Sequence, residues 1–176
     1  MRTPQLETER LILRTFNEMD VEAVYYGWET DPDVAKYMMW ESHNDIERTK
    51  EWLKKEIINI DKDDWYRWAL VEKKTGKLIG TSLIYFSEEE SNYVLGYNLA
   101  KAFWNQGFTT EAMRAVLEFA RDVLKVSTVT AAHAIENPTS GNVMKKIGMV
   151  YRGECDYVCN GGKIKTKGHV YQIQFN

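Results

Sequence analysis

The chain has 176 residues, of which 44% are hydrophobic, and its 23 basic and 26 acidic side chains leave a net charge of −3. This length suits one domain that buries roughly 70% of the surface of its unfolded chain. The slightly acidic balance argues against a general nucleic-acid binder. Because the sequence has no apolar run of 18 residues and no N-terminal signal pattern, we expect a cytoplasmic protein that does not bind a membrane.

Hydrophobic periodicity and turn residues predict both strands and helices along the chain. In chain order, we expect a strand at 10–15, short helices at 21–29 and 32–38, a helix at 44–60, strands at 66–72 and 77–86, a strand at 93–99, a helix ending near 123, a strand at 129–134, a short helix ending before 148, and strands at 150–159 and 168–175. Asn44, followed three residues later by Glu47, resembles a capping box at the start of the third helix. We therefore expect one α+β domain over residues 1–176.

Histidine and cysteine spacing gives no sign of a metal site. His43, His133 and His169 are far apart in the sequence, and Cys155 and Cys159 lack the C-x-x-C spacing. We expect no metal and two reduced thiols.

A strand, a glycine-containing loop and a helix follow one another in the middle of the chain. The strand 93–99 alternates with period 2, and the loop 104–107 leads directly into a helix with one apolar stripe. The first turn of a helix carries unpaired N–H groups and the positive end of the helix dipole, which attract phosphate. Gly107 permits a positive φ and a close approach of the backbone to a ligand. The loop fits neither the G-x-x-x-x-G-K-[ST] nor the G-x-G-x-x-G pattern.

A second strand and helix follow about thirty residues later. The strand 129–134 is rich in small residues, Asn137 is a good N-cap, and Pro138 suits the first helical position. Gly148 is a natural residue to end this helix.

The two motifs together are similar to one family. The segment Trp104–Ala112 (W-N-Q-G-F-T-T-E-A) and the segment 137–149 (N-P-T-S-G-N-V-M-K-K-I-G-M) resemble the GNAT N-acetyltransferases, in the branch related to ribosomal-protein N-terminal acetyltransferases. The opening segment 8–14 (T-E-R-L-I-L-R) is similar to the first strand of that branch. The resemblance implies a mixed, mostly antiparallel sheet of about seven strands, with a splayed central pair and flanking helices.

The resemblance also implies acetyl-CoA as co-substrate and an amine as acceptor, with a monomeric or homodimeric protein. Asn105 stands where the branch often has glycine, so it must tolerate unusual dihedral angles, as Asn does more readily than most residues. The residues expected to bind the cofactor are Leu99, Trp104, Asn105, Gln106, Gly107, Phe108, Thr109, Thr110, Asn137, Ser140, Asn142 and Lys145.

Acetyl transfer from a thioester to an amine requires a neutral amine and a stabilised leaving thiolate. The resemblance implies that Ser140 donates to the sulfur and that Asn137 fixes the pantetheine amides. Many members of the branch have a glutamate base where this chain has Val94. His133 is the leading side-chain substitute, because an imidazole titrates near neutral pH; a chain of water molecules is the alternative.

The missing glutamate favours an acceptor of low basicity. At pH 7, an α-amine of pKa ~7.7–8.0 costs about 1 to 1.4 kcal/mol to deprotonate, whereas a lysine of pKa ~10.4 costs roughly 4.6 kcal/mol. We therefore expect protein N-termini or weakly basic small amines as acceptors. Two alternatives remain open, namely a CoA-binding regulatory domain without transferase activity and an interaction domain that has lost cofactor binding.

Overall fold

A computed structural model describes residues 1–175. Within them, one mixed sheet of eight strands runs in the order β1-β2-β3-β4-β5-β6-β8-β7. The strands are β1 (Leu6–Glu7), β2 (Leu11–Arg14), β3 (Trp65–Glu72), β4 (Leu78–Ser87), β5 (Asn92–Leu99), β6 (Thr128–Ala134), β7 (Val150–Cys159) and β8 (Ile164–Gln174). All neighbouring pairs are antiparallel except β5 and β6, which are parallel. The predicted α+β fold is confirmed, with eight strands where about seven were expected.

Five α-helices connect or flank these strands in residues 1–175. They are α1 (Val21–Val24), α2 (Pro32–Ala35), α3 (Ile46–Ile58), α4 (Phe108–Asp122) and α5 (Pro138–Lys146). The helix expected at 21–29 changes character after α1, because residues 25–29 form a wider π-type turn. The helix expected at 32–38 ends at Ala35.

The predicted start of α3 was wrong by one residue. The N-cap is Asp45, whose carboxylate accepts a hydrogen bond from the backbone N–H of Glu47 at 3.0 Å. Asn44 is exposed and precedes the cap. Asp is as good an N-cap as Asn, so the sequence pattern fits either register.

Helices cover both faces of the sheet, and each face has its own core. On one face, α4 buries its apolar stripe against β3, β4 and β5, with Trp68, Met113 and Phe119 among the buried residues. On the other face, α1, α2 and α3 pack around Trp28 and Leu53. Side chains of a strand alternate between these two cores, so its odd and even residues have different neighbours.

The central parallel pair separates soon after it begins. Only Tyr93 with Val129 and Val94 with Thr130 are paired between β5 and β6. Beyond them, β6 pairs with β8 along its whole length while β5 continues beside β4. A gap therefore opens at the C-terminal ends of both strands, which confirms the predicted splayed pair.

Three further observations bear on the class of protein. No helix within residues 1–175 is long and apolar enough to cross a membrane. The same residues contain no group of three or more His, Cys, Asp or Glu side chains that could hold a metal ion. Cys155 and Cys159 are free thiols in the described part of the chain.

Candidate active site

A cleft of about 680 Å³ opens where β5 and β6 separate. Four segments form its walls, and each comes from a different part of the chain. They are 33–38 after the start of α2, 97–99 at the end of β5, 103–110 entering α4, and 136–143 entering α5. The cleft therefore joins the two motifs that the sequence analysis selected.

The loop that enters α4 has the backbone geometry that its sequence predicts. Asn105 has a φ of +58° and Gly107 a φ of +82°, so both lie in the left-handed region. The first intrahelical bond at this end runs from the N–H of Glu111 to the carbonyl of Gly107 at 3.0 Å. The N–H groups of residues 108–110 precede this bond and are available to an anionic ligand.

An ion pair fixes this loop to the N-terminal strands. The Glu111 carboxylate accepts hydrogen bonds from the backbone N–H of Arg10 at 2.7 Å and from Arg10 Nε at 2.6 Å, and the Thr8 hydroxyl donates to it as well. Arg10 also donates to the carbonyl of Gln106 at 3.0 Å, and its guanidinium lies 4.3 Å from the centre of the Phe108 ring. Burial raises the pKa of Glu111, but the hydrogen bonds from Thr8 and Arg10 outweigh it and hold the pKa below its usual value.

The sequence did not predict this ion pair between Arg10 and Glu111, although both residues lie in segments that carry the family resemblance. Arg10 belongs to the opening T-E-R segment and Glu111 to the T-E-A segment, and they are 101 positions apart. A basic residue in the first strand and an acidic residue in the first helical turn carried the only signal. Such residues are common on protein surfaces, so the sequence alone does not pair them.

Most of the predicted cofactor-binding residues line the cleft. They are Leu99, Trp104, Asn105, Gly107, Phe108, Thr109, Thr110, Asn137, Ser140 and Asn142. Gln106 is outside the lining, and its side-chain amide donates to the carbonyl of Ala102 at 2.8 Å. Lys145 is also outside the lining, because the last turn of α5 presents Lys146 to the cleft instead.

The start of α5 brings polar groups to the gap. Asn137 lies at the N-cap position, yet its side chain makes no capping bond to the described residues, so its amide remains available to the cleft. The Ser140 hydroxyl lies 2.9 Å from the hydroxyl of Tyr97, which also donates to the Ser140 carbonyl at 3.1 Å. Burial raises the pKa of Tyr97 far above its ordinary value. Tyr97 therefore stays protonated, and its hydroxyl can donate a hydrogen bond to a neighbouring group.

Tyr97 is a site residue that the sequence analysis did not select. It alternates with Leu95 and Leu99 on β5, and all three pack towards the α4 core. An aromatic residue in that pattern is typical of a core position. Only the approach of α5 to the gap gives its hydroxyl a polar partner.

His133 lies away from the cleft. Its side chain is 4% exposed and packs under α5, where Nε2 would lie 2.5 Å from a Cβ added at Gly141. Nδ1 is 2.7 Å from the carbonyl of Ala134, whereas Nε2 has no hydrogen-bond partner among residues 1–175. Burial lowers the pKa of His133. The histidine thus faces the core rather than the gap, a choice that strand alternation had left open.

Two carboxylates line the cleft, and both are engaged elsewhere. Asp33 forms an ion pair with Lys101, and Glu136 accepts a hydrogen bond from the Thr166 hydroxyl at 2.7 Å. The hydrogen bond from Lys101 lowers the pKa of Asp33, and the one from Thr166 lowers the pKa of Glu136. A lowered pKa makes a carboxylate a weaker base, so neither is suited to take a proton from an ammonium group.

Comparison with known proteins gives a family for this arrangement. The model of the acetyltransferase (GNAT) domain matches residues 10–150. The chain is 26% identical over 151 residues to the uncharacterized N-acetyltransferase YoaA of Bacillus subtilis (strain 168), covering 85% of either chain.

Solved structures agree with the family match. A GNAT-family acetyltransferase from Bacillus anthracis superposes with a TM-score of 0.83 at 26% identity, over 97% of this chain and 98% of that one. RimL, a ribosomal L7/L12 alpha-N-protein acetyltransferase in complex with coenzyme A, gives a TM-score of 0.84 over 98% of both chains. At 15% identity, the likeness to RimL concerns the fold alone.

Proposed function

This chain belongs to the GNAT acetyltransferase family and is an acetyl-CoA-dependent acetyltransferase, and we propose that its acceptor is a primary amine of low basicity. Such an acceptor is either the α-amine of a protein N-terminus or a small amine. The single observation that carries the proposal is the cleft itself, whose lining carboxylates Asp33 and Glu136 are held by Lys101 and Thr166.

The residues of the cleft fit the co-substrate. The N–H groups of residues 108–110 bind the pyrophosphate, since a helix N-terminus offers free donors and a positive dipole end. Gly107 leaves this approach open, because the only atom within 4 Å of a Cβ added there is a guanidinium nitrogen of Arg10, at 3.4 Å, in the described chain. Asn137 has an uncommitted amide that pairs with the amides of the pantetheine arm.

Ser140 and Tyr97 act on the leaving group. In this proposal, the attacking amine forms a bond to the acetyl carbon while the carbon–sulfur bond breaks. The Ser140 hydroxyl donates a hydrogen bond to the sulfur as it gains negative charge, and Tyr97 orients that hydroxyl at 2.9 Å. A donor aimed at developing charge stabilises the transition state more than the bound substrate.

The choice of acceptor follows from the bases that the cleft offers. Asp33 and Glu136 have lowered pKa values, and His133 is buried outside the lining. An acceptor that already has a substantial neutral fraction at pH 7 suits this environment. From pKa values of ~8.0 and ~10.4, the neutral fraction of an α-amine exceeds that of a lysine by roughly 250-fold.

A panel of acceptors tests the proposal. Purified protein and acetyl-CoA are mixed with a peptide that has a free N-terminus, with its N-terminally blocked counterpart containing lysine, and with small amines of graded pKa. Release of free thiol is measured and mass spectrometry locates the acetyl group. We expect α-amines or weakly basic amines to react about 10²-fold faster than lysine at pH 7.

Two other results would contradict the proposal in different ways. Preference for the lysine peptide would refute the argument from basicity. CoA binding detected by thermal shift, without turnover of any amine, would indicate the regulatory domain that Val94 favours. A folded Gly107→Val variant serves as the control for turnover that depends on the cleft.

A further inference from the structure

A carboxylate from outside the cleft lies at the closed end of the strand gap. Glu90 belongs to the β4–β5 loop, and its Oε2 accepts a hydrogen bond from the Thr130 hydroxyl at 2.8 Å. Thr130 is 8% exposed and pairs with Val94, at the last paired position before β5 and β6 separate. The carboxylate thus sits beside Val94, the position where the family resemblance led us to expect a glutamate.

The loop itself holds Glu90 over this position. The backbone N–H of Glu90 donates to the Ser87 hydroxyl at 3.3 Å, and the N–H of Ser91 donates to the Glu88 carbonyl at 3.2 Å. Ser91 has a φ of +49°, which turns the chain back into β5. The loop carries three glutamates, 88 to 90, and directs the last of them onto the sheet.

Strand alternation places the contact between Glu90 and Thr130 on the face of the sheet opposite to α4. Tyr93, Leu95 and Tyr97 pack towards the α4 core, so Val94, Gly96 and Asn98 project from the opposite face. Thr130 likewise lies opposite to Val129 and Ala131, which belong to the α4 core. With a spacing of about 5 Å between strands, the Thr130 and Val94 side chains are neighbours on this face.

Along this face, only Gly96 stands between Asn98 at the cleft and Val94 beside Glu90. Asn98 lines the cleft, and its Nδ2 is buried without a hydrogen-bond partner in residues 1–175. The next residue on the same face is Gly96, where an added Cβ would meet no described atom within 4 Å. From Asn98 past Gly96 to Val94 the strand rises about 14 Å, so a relay along this face needs several water molecules.

The charged and titratable groups around the carboxylate come from three strands. Burial, followed by the negative charge of Glu90, raises the pKa of Tyr85 on β4 and of Cys155 on β7. Glu89 adds to the effect on Tyr85, whereas Arg67 on β3 opposes it. The field of Glu90 therefore reaches both sides of the gap.

We propose that Glu90 collects the proton released by the acceptor amine, through water molecules above Gly96, and so replaces the glutamate that this chain lacks at Val94. The inference rests on the proposed transfer to an amine. As the nitrogen bonds to the acetyl carbon and the thiolate leaves, the surplus proton of the amine passes through water to the Glu90 carboxylate and then to solvent. Thr130 is a positioning residue that holds the carboxylate.

The variant Glu90→Gln tests the role in proton transfer. Glutamine keeps an oxygen that accepts the Thr130 hydrogen bond but cannot take the proton, so a purely structural role would leave the rate unchanged. We expect kcat to fall by ~10²-fold, the low end of the usual range for acid–base catalysis, with the KM for acetyl-CoA nearly unchanged. Glu88→Gln, an equal charge change on the same exposed loop, should keep the wild-type rate.

Rescue makes the test sharper. Adding Val94→Glu to the Glu90→Gln protein should raise kcat at least tenfold above that of Glu90→Gln, because it returns a carboxylate to the same face of the gap. Equal kcat for Glu90→Gln and wild type, or equal losses for Glu90→Gln and Glu88→Gln, would overturn the inference and leave the proposed function intact. A wild-type protein that acetylates no amine would overturn both.

Discussion

Replacing Glu111 by Gln should weaken the ion pair with Arg10 that holds the loop 104–107 at the start of α4. In the wild-type protein, Arg10 Nε lies 2.6 Å from a carboxylate oxygen of Glu111. The substitution preserves the size of the side chain, but it removes the charge and turns an amide N–H₂ group towards Arg10 Nε. Hydrogen bonds to charged groups contribute about 1.5–3 kcal/mol each. The Arg10 side chain is 41% exposed, so its share is screened by solvent and must be discounted.

We therefore expect Glu111→Gln to lower the free energy of unfolding by about 2 kcal/mol. For a chain of this length, that loss corresponds to a fall in Tm of about 4–8 °C. The affinity for CoA should fall as well, because Arg10 also holds the carbonyl of Gln106 next to Gly107. The control is Glu118→Gln, an exposed position on the same helix, which should change stability by less than about 0.5 kcal/mol.

The effect should depend on pH with a definite sign. The folded-state pKa of Glu111 is lowered, so its stabilising contribution is complete above the unfolded value of ~4.3 and is lost as the pH falls through the folded pKa. Denaturant unfolding of wild type and variant at pH 7, 5 and 3 measures this. The difference between them should persist from pH 7 to 5 and shrink at pH 3. Equal stability at pH 7, or a difference that grows in acid, would refute the reasoning.

Four further substitutions test the cleft and the buried His133 beside it. Gly107→Val should raise the Kd for CoA at least tenfold, measured by calorimetry, because a β-branched residue at a φ of +82° strains the loop that carries the N–H donors; unchanged affinity would exclude this site. Ser140→Ala should lower kcat by about 10–10²-fold with little change in CoA affinity, and Tyr97→Phe should lower it less, since Tyr97 acts through Ser140. If both variants retain the wild-type kcat in stopped-flow assays, the pair has no role at the sulfur. His133→Ala should leave kcat within a few-fold of wild type while lowering Tm, because the ring is 4% exposed and packs under Gly141; a loss of 10² or more in kcat would return the histidine to the mechanism.

Local sequence signals were reliable where a structural feature depends on neighbouring residues. The loop at Asn105 and Gly107 adopts positive φ values because these residue types tolerate them. Pro138 begins α5 and Gly148 follows its end with a φ of +90°, as their positions predict. Alternation also predicted the strand that became β5 to within one residue.

The same signals do not determine a side chain's surroundings where these depend on a distant segment. Lys145 and Lys146 are adjacent in sequence, and only the packing of α5 against the sheet decides which one faces the cleft. The sequence pattern predicts a core position for Tyr97, and only the packing of α5 places Ser140 next to its hydroxyl. The sequence makes His133 a candidate base, and only the structure shows that its face of β6 is directed towards the core.

The sequence by itself determined the α+β class, the two motifs, the family and the expectation of acetyl-CoA, since these depend on residue types at fixed local spacings. Only the tertiary structure decided how Arg10 meets Glu111 and how Glu90 reaches Thr130, contacts that span 101 and 40 positions. Ion pairs and hydrogen bonds of that kind leave no periodic pattern in a sequence. They form because sheet order and strand separation bring remote segments within about 3 Å of one another, and that is the range over which this chemistry operates.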